Sequence, residues 1–181
     1  MRGHPGSETG LEVVRARVER LADKLLDSAT KGLPLGSTET MRAAEVPARQ
    51  WNVLDGDLAM PALVLKECEL VHNIEVMAAY CAEHDVDLAP HGKTTMAPQL
   101  FLQQLEAGAW GITAGTEWQV RMMRQFAVPR ILLANELVDP GAIAWVLDEV
   151  DAARAGLGPP LDFMCYIDSV AGIEIAEEVI A

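Results

Sequence analysis

The sequence predicts an α/β fold, an incomplete (β/α) TIM-type barrel preceded by an N-terminal helical extension. Three observations carry this. From Met60 onward, short apolar runs alternate with helical stretches of about a dozen residues, the rhythm of βαβ units on a parallel sheet. The apolar runs are near-continuous, as in strands covered on both faces. No GxGxxG and no GxxxxGK[ST] occurs, which withdraws support from dinucleotide-binding and P-loop folds. A full barrel takes eight units in about 250 residues. The 181 residues here supply four or five, so the expected barrel is incomplete.

Taken in order, residues 1–10 are polar and glycine-rich and read as a loose end. Leu11, Val14, Val18, Leu21, Leu25 and Leu26 recur at helical spacing and predict an amphipathic helix over 11–28. The segment KGLPLGST breaks it, and residues 31–58 read as an irregular connector. PALVL (61–65) is the first strand candidate. Residues 67–83 place Leu70, Val71, Ile74, Met77, Ala78 and Cys81 on one stripe and predict a helix. VDLAPHGK (86–93) reads as a strand, 97–107 as a helix ending at Gly108, and WGITAG (110–115) as a strand. A helix over 117–127 stops before Pro129. RILLAN (130–135), a helix over 141–153, the strand DFMCYID (162–168) and a helical tail from Val170 complete the pattern. The domain division expected is 1–54 as extension and connector, then 55–181 as barrel.

Composition narrows the function. Half of the residues are apolar, so one sizeable core is available. The net charge of −13 argues against nucleic acid and anionic membrane surfaces, which need lysine and arginine clusters. No run of about 18 apolar residues occurs, nor a secretory signal at the start. Cys68, Cys81 and Cys165 are odd in number and widely spaced, which speaks for buried thiols in a reducing cytoplasm rather than disulfides or zinc.

The chemistry concentrates in LAPHGKTTMAP (88–98). Alternation along a strand puts Ala89, His91 and Lys93 on one face, with Lys93 at the carboxyl end, where barrels place their active sites. Thr113, Asn135 and Asp168 close three other apolar runs and would reach the same rim. Asn135 and Asp168 equally suit a turn or a helix cap, Thr113 an ordinary strand, and His91 a satisfied, half-buried histidine. Lys93 stands apart. Burying it at a strand end is costly unless the amine is used, and burial lowers a lysine pKa toward what imine formation needs. Gly92 beside it would allow a flat cofactor, or the chain, to approach closely.

The stretch from MPALVL through HNIEVMAAYCAEHDVDLAPHGKTTMAPQL resembles the D-threonine aldolase and D-serine dehydratase family of alanine-racemase-type enzymes. Within that family it looks most like the bacterial amino acid deaminases. The matching features are the P-x-LVL opening, Asn73-Ile74 in the following helix, and the P-H-x-K-T motif at Pro90-His91-Gly92-Lys93-Thr94. AGAWGITAGTEWQ, RILLANELVDP and IDS look like later family blocks, so the resemblance covers about 55–181, while 1–50 resembles nothing nameable. The sequence departs at Lys93-Thr94-Thr95-Met96, where the aldolases and dehydratases usually continue K-T-H-K, which leaves the substrate open.

The resemblance implies a pyridoxal 5'-phosphate cofactor held through a Schiff base at Lys93, with His91 as a helper in proton transfer. His91, Thr113, Asn135 and Asp168 are the further candidates around the cofactor. It implies an amino-acid substrate, a D-hydroxy amino acid of the serine or threonine type, and a homodimer for a full-length relative. It also implies that PALVL belongs with a second, β-rich domain. The later barrel loops that carry most of the phosphate site, and the family's late divalent-metal ligands, are then expected to be missing from this stretch. Activity of the chain by itself is therefore not expected, and self-association is. Two other readings stand beside this one: a non-catalytic pyridoxal-phosphate-binding protein, and an inactive gene fragment.

Overall fold

The computed structural model describes residues 8–181, so most of the expected loose end, residues 1–7, lies outside the described residues. Contacts divide the chain into two units. Among the described residues the larger comprises 8–17 with Asn73–Ala181, the smaller Val18–His72. The expected change at residue 55 falls inside the smaller unit.

In the larger unit, three strands form a parallel sheet in the order β3-β4-β5, with β3 Ile112–Ala114, β4 Arg130–Glu136 and β5 Asp162–Tyr166. Helices α3 (Pro98–Glu106), α4 (Glu117–Gln125), α5 (Pro140–Arg154) and α6 (Val170–Ile180) alternate with them, close to the ranges the periodicity predicts. Each start has a chemical cause. Pro98 and Pro140 sit in the first turns of α3 and α5, where a missing N–H costs nothing. The side chains of Thr116, Asp139 and Ser169 accept from Gln119, Ala142 and Gly172 amides and cap α4, α5 and α6.

The core lies on one face of the sheet. Phe101 and Leu105 of α3, Val120 and Met123 of α4, and Ile112, Ala114, Ile131 and Leu133 of the strands pack with Val128, while Phe163 and Cys165 of β5 close the layer. Leu11 of α1 (Glu8–Glu19) packs on the same cluster. The register pairs Thr113 with Leu132 and Leu132 with Met164, so these three point to the opposite face. Met164 and Tyr166 there are about half exposed, 47% and 50%.

A buried arginine ties the frame. Arg124, at the end of α4, donates to Glu149 Oε2 at 2.9 Å, Val128 O at 3.1 Å, Pro160 O at 2.9 Å and Pro159 O at 3.0 Å. It thereby joins α4, α5 and the approach to β5.

The segment expected as a strand at 86–93 runs beside β3 but forms an incomplete ladder. Trp110 N donates to Leu88 O, Thr113 N to Pro90 O and Gly92 N to Thr113 O, which makes one parallel bridge at His91–Thr113. Pro90 has no N–H, so the ladder loses a rung there.

Three expectations are corrected. The first helix ends at Glu19, followed by a 3-10 turn over Arg20–Asp23. Leu25–Leu26 (β1) instead pair antiparallel with Met41–Arg42 (β2), the amides taking cross-strand partners in place of helical ones. PALVL forms no strand. An apolar run without a partner for its amides builds no ladder, and Leu63 is 91% exposed. The helix expected over 67–83 is present as α2 (Glu67–His84), but none of its residues is buried, so its apolar stripe packs far less than the spacing implies. The smaller unit also holds 3-10 turns at Ala43–Arg49 and Val53–Asp55 within the expected irregular connector, and its buried apolar residue is Met41.

Candidate active site

The carboxyl edge of the parallel sheet gathers most of the residues singled out from sequence. His91 pairs with Thr113 across the bridge, which puts the His91 and Thr113 side chains on the face away from the core. Gly92, between His91 and Lys93, points the other way. A Cβ built there would lie 2.7 Å from Phe101 Cε1, 2.8 Å from Ile112 Cγ2 and 2.8 Å from Met123 Cε. The glycine is required by the core packing behind the strand. Of the two expected uses of Gly92, close approach of the chain is the one this packing supports.

Lys93 follows on the outer face, and its stem runs across Gly115, just past the end of β3. Lys93 Cδ is 3.3 Å from where a Gly115 side chain would begin. Lys93 is exposed, not buried as its strand-end position predicts, because its segment ends in a turn at the sheet edge. Among the described residues its ammonium has no hydrogen-bonding or ionic partner.

The other candidates have local duties. Thr113 is buried and its hydroxyl donates to Ala89 O at 2.6 Å, which holds the segment carrying His91 and Lys93 against β3. Asn135 sits where the β4–β5 register shifts between Leu133 and Glu136. Its Nδ2 donates to Gly115 O at 3.2 Å, and its Oδ1 accepts from Glu136 N at 3.0 Å. Asp168 lies exposed just beyond β5, and the cap of α6 is its neighbour Ser169. Lys93, Asn135 and Asp168 thus share the carboxyl edge, with Thr113 one residue inside it.

Sequence reasoning passed over Gly115 and Gln119. Gly115 N donates to Gln119 Oε1 at 2.7 Å, and Gln119 N to Thr116 Oγ1 at 3.4 Å. The signal was present as Thr116-x-x-Gln119, the spacing of a capping box.

Of what a pyridoxal-phosphate site needs, this edge supplies an amine and not a phosphate cradle. It offers an accessible primary amine beside a glycine where a side chain would intrude. The neighbouring hollow at the ends of β3 and β4 is lined by Thr116, Leu133, Asn135 and three carboxylates, Glu117, Glu136 and Asp139. That lining repels a phosphate rather than cradling it. Among the described residues no group of three or more His, Cys, Asp or Glu is arranged to hold a metal ion. No described helix is long and apolar enough to cross a membrane.

No family model matches the sequence. A D-threonine aldolase from Arthrobacter sp is 33% identical over 84 residues, which make up 46% of this chain and 22% of that protein. The crystal structure of D-threonine aldolase from Filomicrobium marinum superposes with a TM-score of 0.59 at 22% identity, over 68% of this chain and 31% of that one. The chain therefore spans under a third of the length of either relative, and over the matched part it is similar to these D-threonine aldolases.

Proposed function

We propose that the chain is part of a pyridoxal-phosphate-dependent lyase or deaminase acting on D-hydroxy amino acids, built on a portion of an alanine-racemase-like barrel. The observation that carries this reading is Lys93, an exposed amine at the carboxyl edge of a parallel sheet, its stem crossing Gly115. Lys93 would hold the cofactor by condensing its Nζ with the cofactor aldehyde. The bound cofactor supplies an electron sink for a bond breaking at Cα or Cβ of the amino acid.

Lys93 Nζ would also be the group to move a proton at the substrate carbon. His91, on the same face, stands ready to exchange that proton through its ring. Thr113 and Asn135 keep the two strand ends in register beneath the lysine. Asp168 closes the edge on the side of β5. The cofactor phosphate calls for donors other than Glu117, Glu136 and Asp139. The likeness to D-threonine aldolases supports the reaction class and leaves retro-aldol cleavage and dehydration both open.

The test is borohydride reduction of the protein in the presence of pyridoxal phosphate, followed by peptide mapping. The pyridoxyl label is expected on Lys93. A label concentrated on Lys66 or Lys24 overturns the assignment. Release of glycine from D-threonine, or of pyruvate from D-serine, then separates the two reactions.

A further inference from the structure

We propose that the apolar segment 61–65 of one copy adds as a strand to the free edge of β5 in a second copy of this chain. Both halves of that pairing are open. Residues 61–65 belong to no helix or strand, and Leu63, Val64 and Leu65 are at least half exposed. Among the described residues no backbone hydrogen bond engages the amides of 62–65. An apolar run with open amides is what an unpaired sheet edge accepts.

β5 is such an edge. It ends the order β3-β4-β5, and among the described residues its other side carries no strand. Asp162 N donates to Pro129 O, toward β4. Alternation along the strand then leaves the N–H and C=O of Phe163 and Cys165 on the free side. Met164, Tyr166 and Ile167 are about half exposed or more.

Length and charge within the one sequence point to a second copy as the occupant. Residues 61–65 are uncharged and end at Lys66, while 163–167 are uncharged and bounded by Asp162 and Asp168. Glu67, next to Lys66, already belongs to α2. Parallel addition brings Lys66 to the exposed Asp168. Antiparallel addition brings it to Asp162, which already faces Arg130 at 3.9 Å, so the parallel direction is favoured. Pro61 lacks an N–H and suits the first position of an added strand. Each copy thus gives one segment and takes one.

The experiment uses the full chain in about 0.15 M salt, where repulsion between copies is screened beyond about 8 Å. Sedimentation velocity over a concentration series reads the association. Leu63→Lys with Val64→Lys, and separately Tyr166→Lys, should each weaken it about tenfold or more, since each sets a lysine in an apolar pairing. Leu157→Lys, at another highly exposed leucine outside both runs, should leave it unchanged. Mixing the two weakened variants should restore part of the association, because one keeps its edge and the other its segment. All variants are checked for folding by circular dichroism.

Proline substitutions separate strand pairing from nonspecific apolar contact. In an outermost strand, alternate N–H groups face the partner and the rest face solvent, where proline is tolerated. Of Ala62→Pro, Leu63→Pro, Val64→Pro and Leu65→Pro, two alternate ones should therefore weaken association about tenfold more than the two between them. Hydrogen exchange on the unaltered chain depends on no variant: protection at 62–65 and at 163–167 should rise together with protein concentration. A monomer at every concentration, association that survives both lysine variants, no recovery on mixing, or equal losses at all four prolines overturns the proposal.

Discussion

Replacing Gly92 with alanine should destabilise the fold by an amount its surroundings define. The new methyl would stand 2.7–2.8 Å from Phe101 Cε1, Ile112 Cγ2 and Met123 Cε, and all three residues are fully buried. The Met123 methyl is the free end of a flexible chain and can turn aside. The Phe101 ring edge and the branched Ile112 methyl cannot move without disturbing the sheet–helix layer. Overpacking a filled core costs about 1–3 kcal/mol, and with two of three contacts rigid the upper end is expected, about 3 kcal/mol. That is a large share of a total stability of about 5–15 kcal/mol. Urea unfolding followed by circular dichroism measures it.

A double-mutant cycle identifies the cause. Met123→Ala alone should cost about 2–5 kcal/mol as a cavity. With Gly92→Ala the methyl partly fills that space, so the double variant should be more stable than the sum of the two losses by about 1 kcal/mol or more. A Gly92→Ala variant within about 0.5 kcal/mol of wild type, or strict additivity in the cycle, would refute the packing argument.

Three further predictions follow from other features. Arg124→Met strips four bonds and leaves a carboxylate and three carbonyls without their partner, so a loss of about 3–5 kcal/mol is expected in the same unfolding assay. Glu149→Gln should cost less than about 1 kcal/mol, since the Glu149 side chain is one-third exposed and its charge is screened; equal losses would contradict this. Burial pushes the Cys165 thiol up from its ordinary value, so it carries less thiolate at pH 8 in the folded chain than in the unfolded one. Cys165 should therefore react with an aromatic disulfide reagent at least about threefold more slowly in the native chain than in urea, and equal rates would count against it.

The open sheet face bearing Met164 and Tyr166, together with exposed Val170 and Ile180 of α6, should make the 181-residue chain self-associate at micromolar concentration. Sedimentation velocity showing a single 19.6 kDa species would refute that.

What the residues determined by themselves was everything set by local period and local chemistry. The parallel strands at Ile112–Ala114, Arg130–Glu136 and Asp162–Tyr166, and the helices between them, follow from apolar runs, prolines and caps that act within a few residues. The outward face of His91 follows in the same way, since its bridge to Thr113 sets the side-chain direction there. Only the tertiary structure decided where apolar pattern meets a partner. PALVL has a strand's composition but no ladder, α2 has a helical stripe but no buried residue, and Leu25–Leu26 left a helical spacing for a two-residue pairing.

Lys93 shows the same division. Its sequence neighbours predict a buried amine, but burial depends on what lies across the sheet edge, and there the side chain is exposed over Gly115. The capping-box spacing of Thr116-x-x-Gln119 pointed to Gln119, but the place of Gly115 against the stem of Lys93 was out of reach of any pattern in the chain. A missing side chain has meaning only through the group that comes to occupy its place, and that group is a lysine 22 residues earlier, delivered by the pairing of two strand ends.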